Sequence, residues 1–299
     1  MTTGKNSSRG RQGDRKTFSK PTNKRSTFSK EERPSTGAPK GPKKRPSKFE
    51  KKAPAKQVVR SEADGIRLNK YISNSGICSR READVLIGAG SAMVNGKVIT
   101  EMGHRVKLTD EVRFDGTLIN PETKRYVLLN KPKNYITTMD DERGRKTVME
   151  LVHMAAKERI YPVGRLDRNT TGLLLFTNDG DLAKKLTHPK HNVRKLYHAS
   201  LDRKLSISDL QKLSSGDFQV EGKKVFIDDV AYVEGESKTE IGIEIHSGRN
   251  RIVRKIFESL GYKVVKLDRV IFAGMTKKNI QRGHWRHLTE LEINTLKMI

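Results

Sequence analysis

The chain of 299 residues has a single cysteine, Cys78, so no internal disulfide can staple it. No apolar run approaches the ~18 residues that a membrane-spanning helix needs. The polar start lacks the apolar core of a signal peptide, and none is expected. There is no glycine-rich phosphate loop of the Walker type, no dinucleotide fingerprint and no nucleophile elbow around a serine. His188/His191 and His284/His287 each stand three apart, but Pro189 breaks the first pair's helix and neither pair has a cysteine nearby, so no metal is expected. These absences set aside P-loop hydrolysis, dinucleotide redox chemistry and zinc catalysis. The expectation is a soluble, cytoplasmic protein with no part in a membrane.

Positive charge is what the chain has in excess. Sixty-one Lys and Arg face 35 Asp and Glu, a net charge of +26. Residues 1–60 hold 19 and 4 of these, or +15, and the other 239 residues carry the remaining +11. Both parts therefore attract polyanions, in a salt-dependent way, and a nucleic-acid partner is expected. Residues 1–62 are rich in Lys, Arg, Ser, Thr, Pro and Gly, with isolated Phe18, Phe28 and Phe49 and a repeated Thr-Phe-Ser-Lys. Such a segment has too little apolar area to offset its ordering entropy, which predicts a disordered basic tail. A solubilising tail with no binding role fits the same composition.

The pattern changes near residue 63. Leu68, Tyr71 and Ile72 recur at helical spacing up to Ser75-Gly76, and Ser79-Arg80-Arg81-Glu82 reads as a capping box opening a second helix. Ala92–Val94 and Val98-Ile99 flank Asn95-Gly96, the signature of a hairpin turn, and Val112–Phe114 with Asp115-Gly116 adds another strand and turn. Arg67, Lys70, Arg80 and Arg81 fall on polar positions of this module. It resembles the small RNA-binding domain named after ribosomal protein S-four, over residues 63–119. The resemblance implies that the helix pair presents Arg67, Lys70, Arg80 and Arg81 to structured RNA.

After the linker Asn120–Lys124, strands and helices mix without strict alternation over residues 124–299, which predicts an α+β catalytic domain rather than a doubly wound sheet. Strands are expected at Tyr126–Leu129, Leu173–Phe176, Lys195–Ser200, Val225–Val233, Glu240–Ile245, Lys263–Leu267 and Val270–Phe272. Helices are expected from Thr147, Asp179, Ser206 and Thr289. A further helix should start in Ser247-Gly248-Arg249-Asn250-Arg251, with Arg251, Arg254 and Lys255 in its first turn and Ile252, Ile256 and Leu260 as its apolar stripe.

The stretch Gly164-Arg165-Leu166-Asp167-Arg168 places one carboxylate between two arginines, directly before Gly172 and the apolar run Leu173–Phe176. By itself it reads equally as a solvated acid in a surface loop. Together with Thr170-Thr171-Gly172-Leu173-Leu174, Asn130-Lys131-Pro132, Lys195-x-Tyr197, Gly248-Arg249-Asn250 with Arg254, and Gly283-His284-Trp285-Arg286, it resembles the pseudouridine synthases. The branch that modifies ribosomal RNA and carries the S-four-type domain is the most similar. Ile252 departs from the Gln or Glu that relatives often carry there. The resemblance implies a mainly antiparallel mixed sheet flanked by helices and isomerisation of uridine in ribosomal RNA, with no cofactor. It also implies a monomer acting on a structured stem-loop with the uridine extruded, and favours the large-subunit RNA over the small. It makes Asp167 the nucleophile, attacking C1′ or C6, Arg254 its salt-bridge partner and Tyr197 the residue stacked near the base. Leu173 or Leu174 would close the pocket wall. Arg165, Arg168, Arg249, Arg251, Lys255 and Lys131 would bind the RNA. Two other readings stay open: a non-catalytic ribosome assembly factor, and a nuclease built on Asp140-Asp141-Glu142.

Overall fold

A computed structural model describes residues 65–216 and 218–299; the basic tail expected at residues 1–62 lies outside them. The first helices are α1 (Leu68–Asn74) and α2 (Arg80–Gly88). Ser79 and Glu82 close the capping box on each other's backbone amides, as the sequence pattern predicts. Leu68, Tyr71, Ile72, Ala83 and Ile87 pack on a four-stranded sheet made of two hairpins, Ala92–Val94 with Lys97–Val98 and Val112–Phe114 with Thr117–Leu118. Both turns, Asn95-Gly96 and Asp115-Gly116, hold two consecutive residues at positive φ, which is why Asn or Asp followed by Gly is found there.

This module is tied to the rest of the protein at its helical end. The Glu122 amide donates to the Asn74 carbonyl at 2.8 Å, and its carboxylate accepts from the Arg159 amide at 3.2 Å. Gly76 turns there at φ +77°, a conformation that favours glycine, with its Cα facing that carboxylate. Lys70 makes an ion pair with Asp181 at 2.7 Å.

Seven strands run through the large sheet in the order Asp229–Tyr232, Glu240–Ile245, Lys195–Leu201, Val264–Phe272, Thr171–Thr177, Tyr126–Lys131 and Trp285–His287. Two short strands, Tyr161–Pro162 and Met275–Thr276, pair alongside. Every neighbouring pair is antiparallel except one: Val264–Phe272 runs parallel to Thr171–Thr177, through Asp268↔Thr171 and Arg269↔Gly172. The fold is α+β with a mixed, mainly antiparallel sheet. The leucine run explains itself here. Leu173 and Leu175 enter the core on one face of the sheet, Leu174 and Phe176 the core on the other, so a strand covered on both sides has no polar alternation.

The flanking helices are α3 (Met149–Val152), α4 (Gly180–Thr187), α5 (Ile207–Ser214), α6 (Ile252–Ser259) and α7 (Glu290–Met298). Asp179, Ser206 and Thr289 cap α4, α5 and α7 with their side chains, and Gly261 follows α6 at φ +81°. Among the described residues no helix is long and apolar enough to cross a membrane.

Several expected boundaries move. The strand expected at Val225–Val233 is confined to Asp229–Tyr232, and a hairpin not foreseen, Gln219–Val220 with Lys223–Lys224, precedes it about a Glu221-Gly222 turn at positive φ. Lys263–Leu267 and Val270–Phe272 are one strand, not two. Asp268 and Arg269 read as a break in the sequence, but both are held inside the sheet, and single-residue register shifts opposite Val265 and Val270 absorb the curvature. The strand from Tyr126 runs on through Asn130 and Lys131 before Pro132 stops it. Helix α3 starts two residues after Thr147, and Arg251 caps α6 at φ +52° rather than lying in its first turn.

Candidate active site

A cavity of about 460 Å³ opens beside the parallel junction of the sheet. Among the described residues Asp167 is the one carboxylate in its wall, and six cations share that wall: Arg165, Arg168, Lys195, Arg249, Arg251 and Arg269. Tyr197 faces the same space, half-buried between the apolar cores on either side of the junction.

The Asp167 loop is clamped through its main chain. Lys131, fully buried at 0% exposure, extends its ammonium to the carbonyls of Asp167 at 3.1 Å, Thr170 at 2.9 Å and Pro132 at 3.1 Å. Thr137 accepts from the Leu166 amide at 3.3 Å and donates to its carbonyl at 2.9 Å. The Asp167 carboxylate itself has neither a hydrogen bond nor an ion pair within 4 Å among the described residues. Burial lowers the Lys131 pKa to about 8 against the upward pull of Asp167, with Arg282 pushing it further down. Lys131 is therefore not an RNA contact, contrary to the sequence expectation: it has no exposed surface and its donors are used inside the loop.

That assignment is testable. Lys131→Met keeps the length of the side chain but leaves buried carbonyls without a donor, at a cost of about 2–4 kcal/mol. A urea melt should show the loss, and single-turnover activity should fall more than RNA affinity does.

Arg254 is buried in the first turn of α6, and its Nη1 donates to the Val264 carbonyl at 2.8 Å while Nη2 has no partner. Burial lowers its pKa, and the nearby Asp167 carboxylate acts in the opposite direction. The expected salt bridge is absent from this structure, because the two side chains do not come within ion-pair distance; they interact through space only. Neither Leu173 nor Leu174 lines the cavity, since each is fully buried in a core; Val163, Leu186, Leu267 and Phe272 form the apolar wall instead.

Arg165, Arg168 and Arg249 are exposed at the cavity rim and make no ion pair within 4 Å among the described residues. Arg251, also at the rim, lies 3.6 Å from Glu258 with both groups half in solvent, which holds it weakly. Lys255 turns away from the cavity and pairs with Glu221 at 2.7 Å. In the N-terminal module Arg67, Arg80 and Arg81 are exposed, whereas Lys70 pairs with the exposed Asp181 at 2.7 Å. The candidate nuclease carboxylates do not converge: Asp141 is held by Arg145, whose hydrogen bonds bring it down to about 2. Among the described residues no three His, Cys, Asp or Glu gather as a metal site.

Sequence reasoning missed Arg269 as part of this site, and gave Lys195 no role in it. Lys195 donates to the Val193 and His246 carbonyls at 2.8 and 2.7 Å, and burial followed by the charge of Arg269 lowers its pKa to about 8, with Asp228 opposing. The available signal was a basic residue directly before the apolar run Val270–Phe272. The expected break at Asp268-Arg269 concealed it.

Comparison with known proteins places this geometry. Residues 125–259 match the RNA pseudouridylate synthase family, and residues 66–112 match the S4 domain. The ribosomal large subunit pseudouridine synthase B of Bacillus subtilis is 39% identical over 235 residues, covering 78% of this chain and 96% of the relative. The chain belongs to the RNA pseudouridylate synthases. It is thus an enzyme of the isomerase class carrying an S4 domain. Another family member, the dual-specificity RNA pseudouridine synthase RluF of Escherichia coli, is 37% identical over 78% of this chain and 79% of its own. A crystal structure of a pseudouridylate synthase superposes with a TM-score of 0.55 at 27% identity, covering 78% of this synthase and all of that chain.

Proposed function

We propose that this synthase converts particular uridines of large-subunit ribosomal RNA to pseudouridine, with Asp167 as the nucleophile and no cofactor. The observation that carries the reading is the single uncommitted carboxylate in a cavity walled by six cations. A surface built only to bind RNA gains nothing from an acid there, which argues against the assembly-factor alternative. The reaction breaks C1′–N1, rotates the base, joins C1′ to C5 and moves one proton from C5 to N1. One proton leaves C5, one is gained at N1, and no electron is gained or lost overall, so no co-reactant is required.

Asp167 meets the ribose or the base as an ionised group. Its neighbours, Arg254 among them, offset the cost of keeping it charged out of water. Arg254 acts on that carboxylate through space, as a positive charge beside it. Tyr197 supplies an aromatic face for the extruded base. Arg165, Arg168, Arg249 and Arg251 take the flanking phosphates, and Arg67, Arg80 and Arg81 hold structured RNA from the N-terminal module by phosphate contacts. The uridine leaves its stack at a cost of a few kcal/mol, which is smallest in a loop of a stem-loop.

The large-subunit assignment is supported by the name of the Bacillus subtilis relative. The test is to map pseudouridines in ribosomal RNA from cells with and without the gene. Loss of one or a few large-subunit positions is expected. Loss confined to the small-subunit RNA would move the target, and an unchanged map would retire the function.

A further inference from the structure

Arg269 has a charge that the fold leaves unmatched. It is 3% exposed, its Nε donates to the Leu173 carbonyl at 2.8 Å, and its Nη2 is buried with no hydrogen-bond partner. The guanidinium carbon lies 4.5 Å from the centroid of the Phe272 ring. No carboxylate comes within 4 Å of it among the described residues. Asp268, next to it in the strand, points to the opposite face and is already held by Arg282, Lys277 and Thr171. Lys195, a half-buried cation in the same wall, adds repulsion. A desolvated guanidinium without an anion is unfavourable, and natural proteins seldom keep one unless something else meets it. Arg269 lines the cavity that holds Asp167 and Tyr197, so the missing partner arrives with the substrate.

We infer that Arg269 is a catalytic residue of the isomerisation: its guanidinium donates to a carbonyl oxygen of the extruded uracil and stabilises the negative charge that the base carries while detached from the ribose. This rests on the isomerase function proposed above and deepens it. When C1′–N1 breaks, the bonding electron pair leaves with N1, and the charge spreads over the ring onto O2 and O4. It returns when C5 bonds to C1′; the C5 proton is then lost and N1 gains one. The base is neutral in the bound uridine and in the product, and anionic only between them. A fixed cation therefore favours the detached state over both ground states, which accelerates the reaction without tightening the binding of substrate. Phe272 and the Leu173 carbonyl hold the guanidinium in the cavity wall before substrate arrives.

The experiment compares wild type, Arg269→Gln and Arg269→Lys in single turnover on one ribosomal RNA fragment carrying either uridine or 5-fluorouridine at the target. Fluorine stabilises the uracil anion, so the fluorinated base needs less help in leaving, and loss of the C1′–N1 bond is the readout for both. Pseudouridine formation by wild type on the uridine fragment tests the function itself, separately from the variants. Arg269→Gln should lose on the order of 10²–10³-fold in rate, the size found on removing one anion-stabilising donor. RNA affinity should stay within a few-fold, and the deficit should shrink at least tenfold on the fluorinated fragment. Arg269→Lys, which keeps the charge, should lose less and show the same shrinkage. An equal deficit on both fragments, or a loss in affinity alone, overturns the assignment. Failure of both variants to fold would make Arg269 a scaffold residue and overturn it equally.

Discussion

Asp167→Asn should abolish pseudouridine formation, with a loss on the order of 10⁴-fold or more, as expected when a covalent nucleophile is removed. The substitution is nearly isosteric, and the carboxylate makes no hydrogen bond or ion pair among the described residues that the fold would lose. Stability should therefore stay close to wild type in a thermal melt. RNA affinity should hold or rise slightly, because the change removes the one negative group from a wall with six cations. Turnover near wild type would take Asp167 out of its role. A parallel loss of affinity and activity would make it a structural contact instead.

Gly172→Ala should be the most damaging single-methyl change in the sheet. The two strands that join the halves of the sheet in parallel meet through only two residue pairs, and Gly172 opposite Arg269 is one of them. A Cβ there would lie 2.3 Å from the Arg269 carbonyl oxygen and 2.5 Å from its nitrogen, both main-chain atoms that cannot swing aside. The φ of +104° adds strain that an L side chain does not tolerate readily. Overpacking and backbone strain together should cost about 3–5 kcal/mol, on the order of 10 °C in Tm for a domain of this size. Activity should fall further than stability, since the same main chain carries Arg269 and leads from the Asp167 loop. A melt within about 2 °C of wild type would show that the junction is not held this tightly.

The role of Gly172 marks the boundary of what the sequence discloses. Read alone, it looks like a turn residue bracketing the acid together with Gly164. In the fold Gly164 does turn at φ +76°, while Gly172 sits within a strand and makes room for another backbone. Such a contact lies 97 residues away along the chain, and no local pattern reports it.

What the sequence determined by itself is local or compositional. Capping boxes at Ser79 and Thr289, Asn-Gly and Asp-Gly hairpin turns, the doubly covered leucine run and the stop at His188-Pro189 follow from propensities that act within a few residues. The lone acid among arginines and the basic excess are legible for the same reason. Tertiary structure alone decided which charges are available. Lys131, Lys70 and Lys255 look like free cations in the sequence, yet one is buried under carbonyls and two are paired with Asp181 and Glu221. Arg269, hidden in what read as a break between strands, is a buried cation of the cavity wall that has no anion within 4 Å among the described residues. Sequence states how many charges there are and their order. Whether each is neutralised depends on burial and on which distant group the fold brings within about 4 Å, where desolvation and Coulomb energy compete.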